Sequence, residues 1–208
     1  MLYEGFDESR VIYRLLKNSP EENNWAVLPF YDMQIAFFYL IAAEEEGMTS
    51  VRIAQSWVKE WGADYESLYS AAMRNTPRLF PSELRPIEEV ISDLLQGELP
   101  GSADVIMEMV KKENKYPIYV LSNLAQVYGA TAMIYEGLLQ QIGETLDCDY
   151  YLLPASVHEV LIVPYNKDFS KKYMLAMVHE MNLTQLPEED VLSDAVYYYS
   201  REEHRLFL

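Results

Sequence analysis

Three side chains that could do chemistry fall in one short turn of the chain: Ser156, His158 and Glu159, inside DYYLLPASVHEVLIVPY (149–165). A hydroxyl, an imidazole and a carboxylate are the parts of a nucleophilic hydrolase. The base takes the hydroxyl proton and the acid orients the base. That work needs the hydroxyl within hydrogen-bond reach of the ring. At i, i+2 across a tight turn such a pair is unusual, and the chain has no Gly-x-Ser-x-Gly elbow. The structural reading of Ser156 is a hydroxyl bonded to the local backbone. His158 alternates with Val160 and Ile162, and Glu159 with Leu161 and Val163. Adjacent strand residues point to opposite faces, so the two should not form a simple dyad or ligate one metal unless a bulge re-aims one of them. A histidine leading an apolar strand is more often a hydrogen-bonded structural residue than a catalyst.

The remaining reactive groups read as bland. Cys148 stands between Asp147 and Asp149, whose charge raises a thiol pKa and suppresses the thiolate. His179 falls near the end of a predicted helix, where the dipole favours its charged form, and His204 is in the tail. No HExxH, Cys-pair or phosphate-cradling glycine motif occurs, so neither a metal nor a cofactor is expected. Carboxylates are plentiful, and spacing singles out none of them. The triplet Tyr197-Tyr198-Tyr199, in a chain with 17 tyrosines, makes Tyr197 and Tyr199 candidates for a binding surface. Strand propensity and core packing explain the triplet as well.

The elements that must position these residues are legible in outline. Residues 150–153 and 160–163 are short apolar runs around a proline-led turn, which predicts paired antiparallel strands. Residues 11–16 and 118–121 read as strands. Residues 33–43 are apolar on both alternating faces beyond Gln34, which predicts a strand buried on both sides, with 49–53 pairing back; a helix is the alternative, since periodicity does not separate the two here. A short helix over 54–61 should end at Gly62. Asp64 should cap a helix whose stripe is Tyr65, Leu68, Tyr69, Ala72 and Met73, ending at Thr76-Pro77. Pro86 should open the next helix, and residues 97–101 should break the chain. Further helices are predicted from Ser102 to Lys112, over 127–146, and from Asp168 to Met181 with Phe169, Tyr173, Met177 and Met181 inward. Residues 196–199 should be a strand, with 204–208 folding back on it. AVLPFYDMQIAFF (26–38) and YLLPASVHEVLIV (151–163) form a faint internal echo that places Asp32 near the position of His158.

Composition bounds the rest. The chain has 208 residues, half of them hydrophobic, enough for one large domain or two small ones. With 33 acidic and 16 basic residues its net charge is -17, which opposes binding to nucleic acid or an anionic membrane. The acidic runs Glu44-Glu45-Glu46 and Glu188-Glu189-Asp190 read as solvated loops. The single cysteine fits a reducing cytosol, and the N-terminus has no basic region followed by an apolar run. The longest apolar run, 35–43, is less than half of the roughly 20 residues a membrane helix needs.

NTPRL (75–79), YVLSN (119–123), YGA (128–130), LLPASVHEVLIVP (152–164) and VLSDAVYYY (191–199) together resemble an uncharacterised bacterial family of unknown function, DUF5688, found mainly in gut Firmicutes. The resemblance covers nearly the whole chain from about residue 11. It implies no activity. Members commonly carry a further N-terminal segment, so it implies a short or truncated member. The usual pattern in the turn is two serines; here the first is Ala155, which leaves only Ser156 as a nucleophile candidate.

These readings define an α+β protein with a mixed, largely antiparallel sheet and helices packed on it. It is either two halves, 1–100 and 101–208, or one continuous domain over 1–208. The leading expectation is a non-catalytic cytosolic binding or protein-interaction module, its partner a protein or a second copy of the chain. The alternative is a hydrolase-like enzyme centred on Ser156, His158 and Glu159, with a distant acid such as Asp32 or Asp194.

Overall fold

The longest strand, β3 (Met33–Glu44), organises the first of two antiparallel sheets. The computed structural model describes residues 6–19, 24–44, 47–98, 116–154, 156–167, 171–184 and 186–208. Along one side of β3 lies β1 (Val11–Lys17), from Val11 opposite Tyr39 to Lys17 opposite Met33. Its other side is shared by β2 (Val27–Phe30) and β4 (Gly47–Arg52), with a register shift between Leu40 and Ala42. Residues 33–37 of β3 are all buried, as a strand apolar on both faces requires. The one polar side chain among them, Gln34, donates from Nε2 to the Lys17 carbonyl, 3.0 Å away.

The second sheet has the order β10-β9-β7-β8-β6-β5, every pair antiparallel. Its strands are β5 (Ser82–Pro86), β6 (Tyr119–Asn123), β7 (Tyr150–Leu153), β8 (Val160–Pro164), β9 (Tyr197–Ser200) and β10 (Arg205–Phe207). The predicted hairpin is β7–β8, with Leu152 opposite Ile162. The tail folds back on β9 as expected, Leu206 opposite Tyr199. The fold is therefore α+β. β5 was not expected: SELRP carries no apolar alternation, and its pairing with β6 makes it a strand. This sheet thus begins before residue 100. One apolar core runs from Val11, Phe37 and Leu68 to Leu121, Tyr150, Val160 and Leu206.

Helices cover the sheets. α1 (Gln55–Glu60) ends at Gly62, whose φ of +64° suits glycine. In α2 (Tyr65–Leu79), the Asp64 carboxylate accepts the Ser67 N–H at 2.8 Å, which also holds that carboxyl below its ordinary pKa. α2 does not stop at Thr76-Pro77; Pro77 lies inside it. The last turn is held from outside by β1. Asn75 Nδ2 donates to the Val11 carbonyl (2.9 Å) and the Glu8 carbonyl (2.7 Å), and the Phe80 N–H closes onto the Thr76 carbonyl (2.8 Å). Tertiary bonds outweigh the local preference against proline.

α3 (Ile87–Glu98) starts after Pro86, which is the last residue of β5 rather than the first of the helix. It runs through Gly97, where a break was expected. Residues 99–115, with the helix predicted from Ser102, lie outside the described residues. The helix predicted over 127–146 is two pieces: a 3-10 segment, Gly129–Ile134, and α4 (Leu138–Leu146). Tyr135 is extended between them and Gly137 has φ +73°, so the chain changes direction and starts a new helix. α5 (Lys171–Thr184) covers the outer face of the second sheet, where Met174 and Val178 pack with Tyr151, Leu153, Val163 and Val196. Asp168 and Phe169 lie outside the described residues, as do the side chains of Tyr173, Met177 and Met181.

Two bonds satisfy the outer edge of β1. Among the described residues, its outward N–H groups have no strand to pair with. The Tyr13 N–H donates to Thr76 Oγ1 of α2 and the Leu15 N–H to Thr131 Oγ1 of the 3-10 segment, both at 3.1 Å. Both threonines are 2% exposed, so water cannot substitute. Replacing one hydroxyl by a methyl of equal size strands a buried donor. Thr76→Val and Thr131→Val should each lower unfolding free energy by about 1–3 kcal/mol in urea titrations. A loss below about 0.5 kcal/mol would mean that the edge does not depend on these bonds.

Candidate functional site

The loop between β7 and β8 carries Ser156, His158 and Glu159, and the structure does bring them together. It is fastened on several sides. Ser156 bridges Val191, the Val157 N–H donates to the Asp190 carbonyl (2.8 Å), and the Ala130 N–H donates to the Val157 carbonyl (3.2 Å). The Ser122 hydroxyl donates to the His158 carbonyl at 2.8 Å. Gly129 presses into this junction. A Cβ there would lie 2.4 Å from the His158 carbonyl oxygen and 2.8 Å from the Asn123 nitrogen.

The Ser156 hydroxyl faces backbone, not imidazole. Its oxygen accepts the His158 N–H at 2.9 Å, and the residue is 3% exposed. The His158 ring is occupied at both nitrogens: Nδ1 accepts the Tyr128 N–H at 3.4 Å, and Nε2 faces Asp190 Oδ1 at 3.3 Å. That arrangement puts the ring proton on Nε2, donated to Asp190. The acid beside His158 is therefore Asp190, read from sequence as part of a solvated run. Asp32 and Asp194 are elsewhere. Asp32 accepts from the hydroxyls of Ser193 (2.6 Å) and Tyr197, and Asp194 sits by His179 (3.6 Å) and Asn182 (2.8 Å). Both echoed hairpin loops thus bond to the same segment, 190–197.

Burial pushes the Glu159 carboxyl above its ordinary range, against the opposing pull of His158 and a hydrogen bond from Ser156. Tyr128, at φ 51°, lies against His158 with ring centroids 5.9 Å apart. Its ring also stacks on the Arg14 guanidinium (4.1 Å), whose other ring neighbour is Phe38 (4.3 Å). Burial pushes the Cys148 thiol up more than the flanking Asp147 and Asp149 do.

Of the two tyrosine candidates, Tyr197 is fully buried, its hydroxyl bonded to Asp32. Tyr199 stacks on Tyr150, centroids 5.1 Å apart, and its edge lines two adjoining clefts. The first, of about 330 Å³, runs between the β2–β3 turn, α2, the 3-10 segment, α4 and the β9–β10 turn. Its walls are largely apolar and aromatic, with Phe30, Tyr31, Ile35, Tyr69, Ile134, Tyr135, Leu139 and Leu206 among them. The second, of about 360 Å³, is lined by Gln140, Glu144, Tyr199, Arg201, Glu202 and His204, whose carbon atoms supply most of its surface and whose charged tips lie among them. Gln140, Tyr199 and His204 belong to both, so the two form one groove with an apolar and a charged end.

Hydrogen bonds fix its walls. The Tyr31 hydroxyl donates to the Leu206 carbonyl (2.6 Å) across the two hairpins, and the Tyr150 hydroxyl donates to the Leu139 carbonyl (2.8 Å), seating α4 on β7. Gly143 lets α4 approach β9, since a Cβ would stand 2.9 Å from Arg201 Cγ and 3.3 Å from Tyr199 Cε1. Among the described residues, no group of three or more His, Cys, Asp or Glu could hold a metal ion, and no helix is long and apolar enough to cross a membrane.

The segments that carried the resemblance meet in this structure: Asn75 and Thr76 on β1, Ser122 and Gly129 on the His158 loop, Val191 and Ser193 against the two hairpin turns. The chain belongs to the Family of unknown function (DUF5688), which it matches over residues 8–201. No curated protein and no solved structure matches it. Sequence reasoning missed Asp190, Tyr128 and every groove residue except Tyr199. The YGA motif marked Tyr128 and Gly129 as part of the resemblance, without linking them to the His158 loop. The groove gathers residues from separate segments and leaves no local pattern.

Two substitutions check this geometry. Gly129→Ala forces a Cβ into backbone atoms that cannot rotate away and should cost about 3 kcal/mol or more in chemical denaturation. Glu159→Gln should raise the melting temperature at neutral pH. A carboxyl whose folded pKa is raised stabilises below its unfolded pKa, and that contribution is lost as pH rises through the folded value. The gain from Gln should therefore shrink as the pH is lowered toward about 3, where Glu is protonated in both states. A variant less stable at neutral pH would show that the charge is favourably placed.

Proposed function

We propose that this protein is a non-catalytic, cytosolic binding module whose ligand seat is the groove between the two hairpin turns and α4. The observation that carries this reading is the contrast between its two polar centres. Around Ser156 and His158 the groups are engaged by backbone, by Asp190 and by Glu159: the hydroxyl accepts the His158 N–H and bonds Glu159, while the imidazole faces the Tyr128 N–H and Asp190. A serine–histidine nucleophile needs the imidazole at the hydroxyl proton, and this arrangement turns the ring elsewhere. The groove instead offers concave apolar surface, tyrosine edges and a few polar side chains at one end. Its apolar part alone has the volume of a small-ligand site, about 300 Å³ being the lower end of that range. One half-buried free thiol, Cys148, fits a reducing compartment.

The test is a small aromatic fragment set followed by amide NMR, with Gln140→Trp as the blocking variant. Gln140 is exposed and stands where the two clefts join, so a tryptophan there fills the groove without entering the core. Fragments should shift signals of residues around Tyr31, Tyr199 and Leu206, and the variant should weaken them about tenfold or more, the scale of losing one buried aromatic contact. Ester and phosphoester panels should show no turnover above buffer. Turnover abolished by His158→Ala would replace this reading with the hydrolase.

A further inference from the structure

From the charge at its polar end, we infer that the groove takes a small organic cation: an ammonium group carried on an apolar or aromatic body. This rests on the groove being the ligand seat. Two carboxylates, Glu144 and Glu202, line the polar end against a single guanidinium, Arg201. That guanidinium is already paired, its NH1 3.0 Å from the Asp147 carboxylate. Glu144, exposed and lining the second cleft, accepts a hydrogen bond at 2.9 Å from the neutral amide of Gln140, which lines both clefts; that bond does not neutralise its charge. Burial first and this carboxylate second push the Tyr199 phenol above its ordinary pKa, and Glu144 lines the same cleft as that ring.

A ligand lying along the groove would put its apolar body among Phe30, Tyr31 and Tyr135 and its charge beside Glu144 and the Tyr199 ring. Aromatic faces and carboxylates together favour ammonium groups and repel carboxylates and phosphates. The overall charge of -17 adds a long-range attraction of the same sign. Size fits a small molecule: the first cleft holds about 330 Å³, at the lower end of the range of small-ligand sites.

The experiment titrates three probes of one shape, phenylbutylammonium, phenylbutanol and phenylbutyrate, into the full chain and follows amide NMR shifts. The ammonium should bind in the groove about tenfold tighter than the carboxylate and several-fold tighter than the alcohol. Glu144→Gln should remove most of that preference while leaving the alcohol unchanged, and about 1 M salt should reduce it. Glu66→Gln on α2, outside the groove, should change nothing, which separates a local site from the general pull of an acidic chain. Equal binding of all three probes in the groove would overturn the cation inference and leave the binding-module reading standing. Failure of every probe to shift groove signals, in wild type and in Gln140→Trp alike, would overturn the groove itself. A phenylalanyl-lysine peptide binding more than about tenfold tighter than the amine would transfer the site to protein partners.

Discussion

The free edge of β1 is the constraint on which the rest of the molecule depends. A strand buried on both faces but paired on one side leaves N–H groups that neither a strand nor water can satisfy, each costing about 1–3 kcal/mol if left unmade. Here the hydroxyls of Thr76 and Thr131 take the donors of Tyr13 and Leu15, and Asn75 supplies a donor to Val11. Because Thr76 belongs to α2 and Thr131 to the 3-10 segment before α4, the two bonds set the first sheet against both neighbours. They also set the walls of the groove. Its lining includes Ile35, the partner of Leu15 across β1 and β3, and Met133, two residues after Thr131. The Tyr31 hydroxyl on Leu206 and the Asp32 carboxylate on Ser193 and Tyr197 hold the other side. A cleft braced this way is formed before any ligand arrives, which lowers the ordering cost of binding.

Legibility followed from where each element's stabilisation comes from. β3, β7, β8 and β9 were readable because their burial is written in their own apolar runs. α2 was readable at its start, where Asp64 caps locally, and unreadable at its end, where β1 holds Asn75 and Thr76 past a proline. β5 was invisible because nothing in SELRP demands a strand; its partner β6 does. The segment 127–146 was misjudged as one helix because its apolar spacing is helical throughout. Gly129 must touch β6 and the His158 carbonyl, and Gly137 turns the chain, so the spacing is divided between two helices of different kinds.

The turn at 154–159 was legible as a cluster of polar groups but not in its connections. Sequence alternation treats His158 and Glu159 as strand residues on opposite faces. In the structure β8 begins at Val160, so both belong to the loop rather than to opposite faces of a strand. Asp190 looked like one acid of a solvated run. It is tied into the core by backbone bonds on both sides, its carbonyl to Val157 and its N–H to Pro187, and that brings its carboxylate to the imidazole.

Tyr197 and Tyr199 show how side chains of the same type on the same face of one strand diverge. Each is buried, and each loses ionisation to burial. Tyr197 meets Asp32 and Ser193 and becomes a structural post between the sheets. Two residues on, the strand has passed the rim of the first sheet. Tyr199 there meets Tyr150 on one face and open groove at its edge, within the field of Glu144. The difference lies in what the opposite sheet presents at each position, an acid in one case and a gap in the other. No reading of the triplet YYY could separate them. Where the two sheets stay in contact, polar groups are consumed in holding them together, and where they part, the same side-chain type is left lining an open groove.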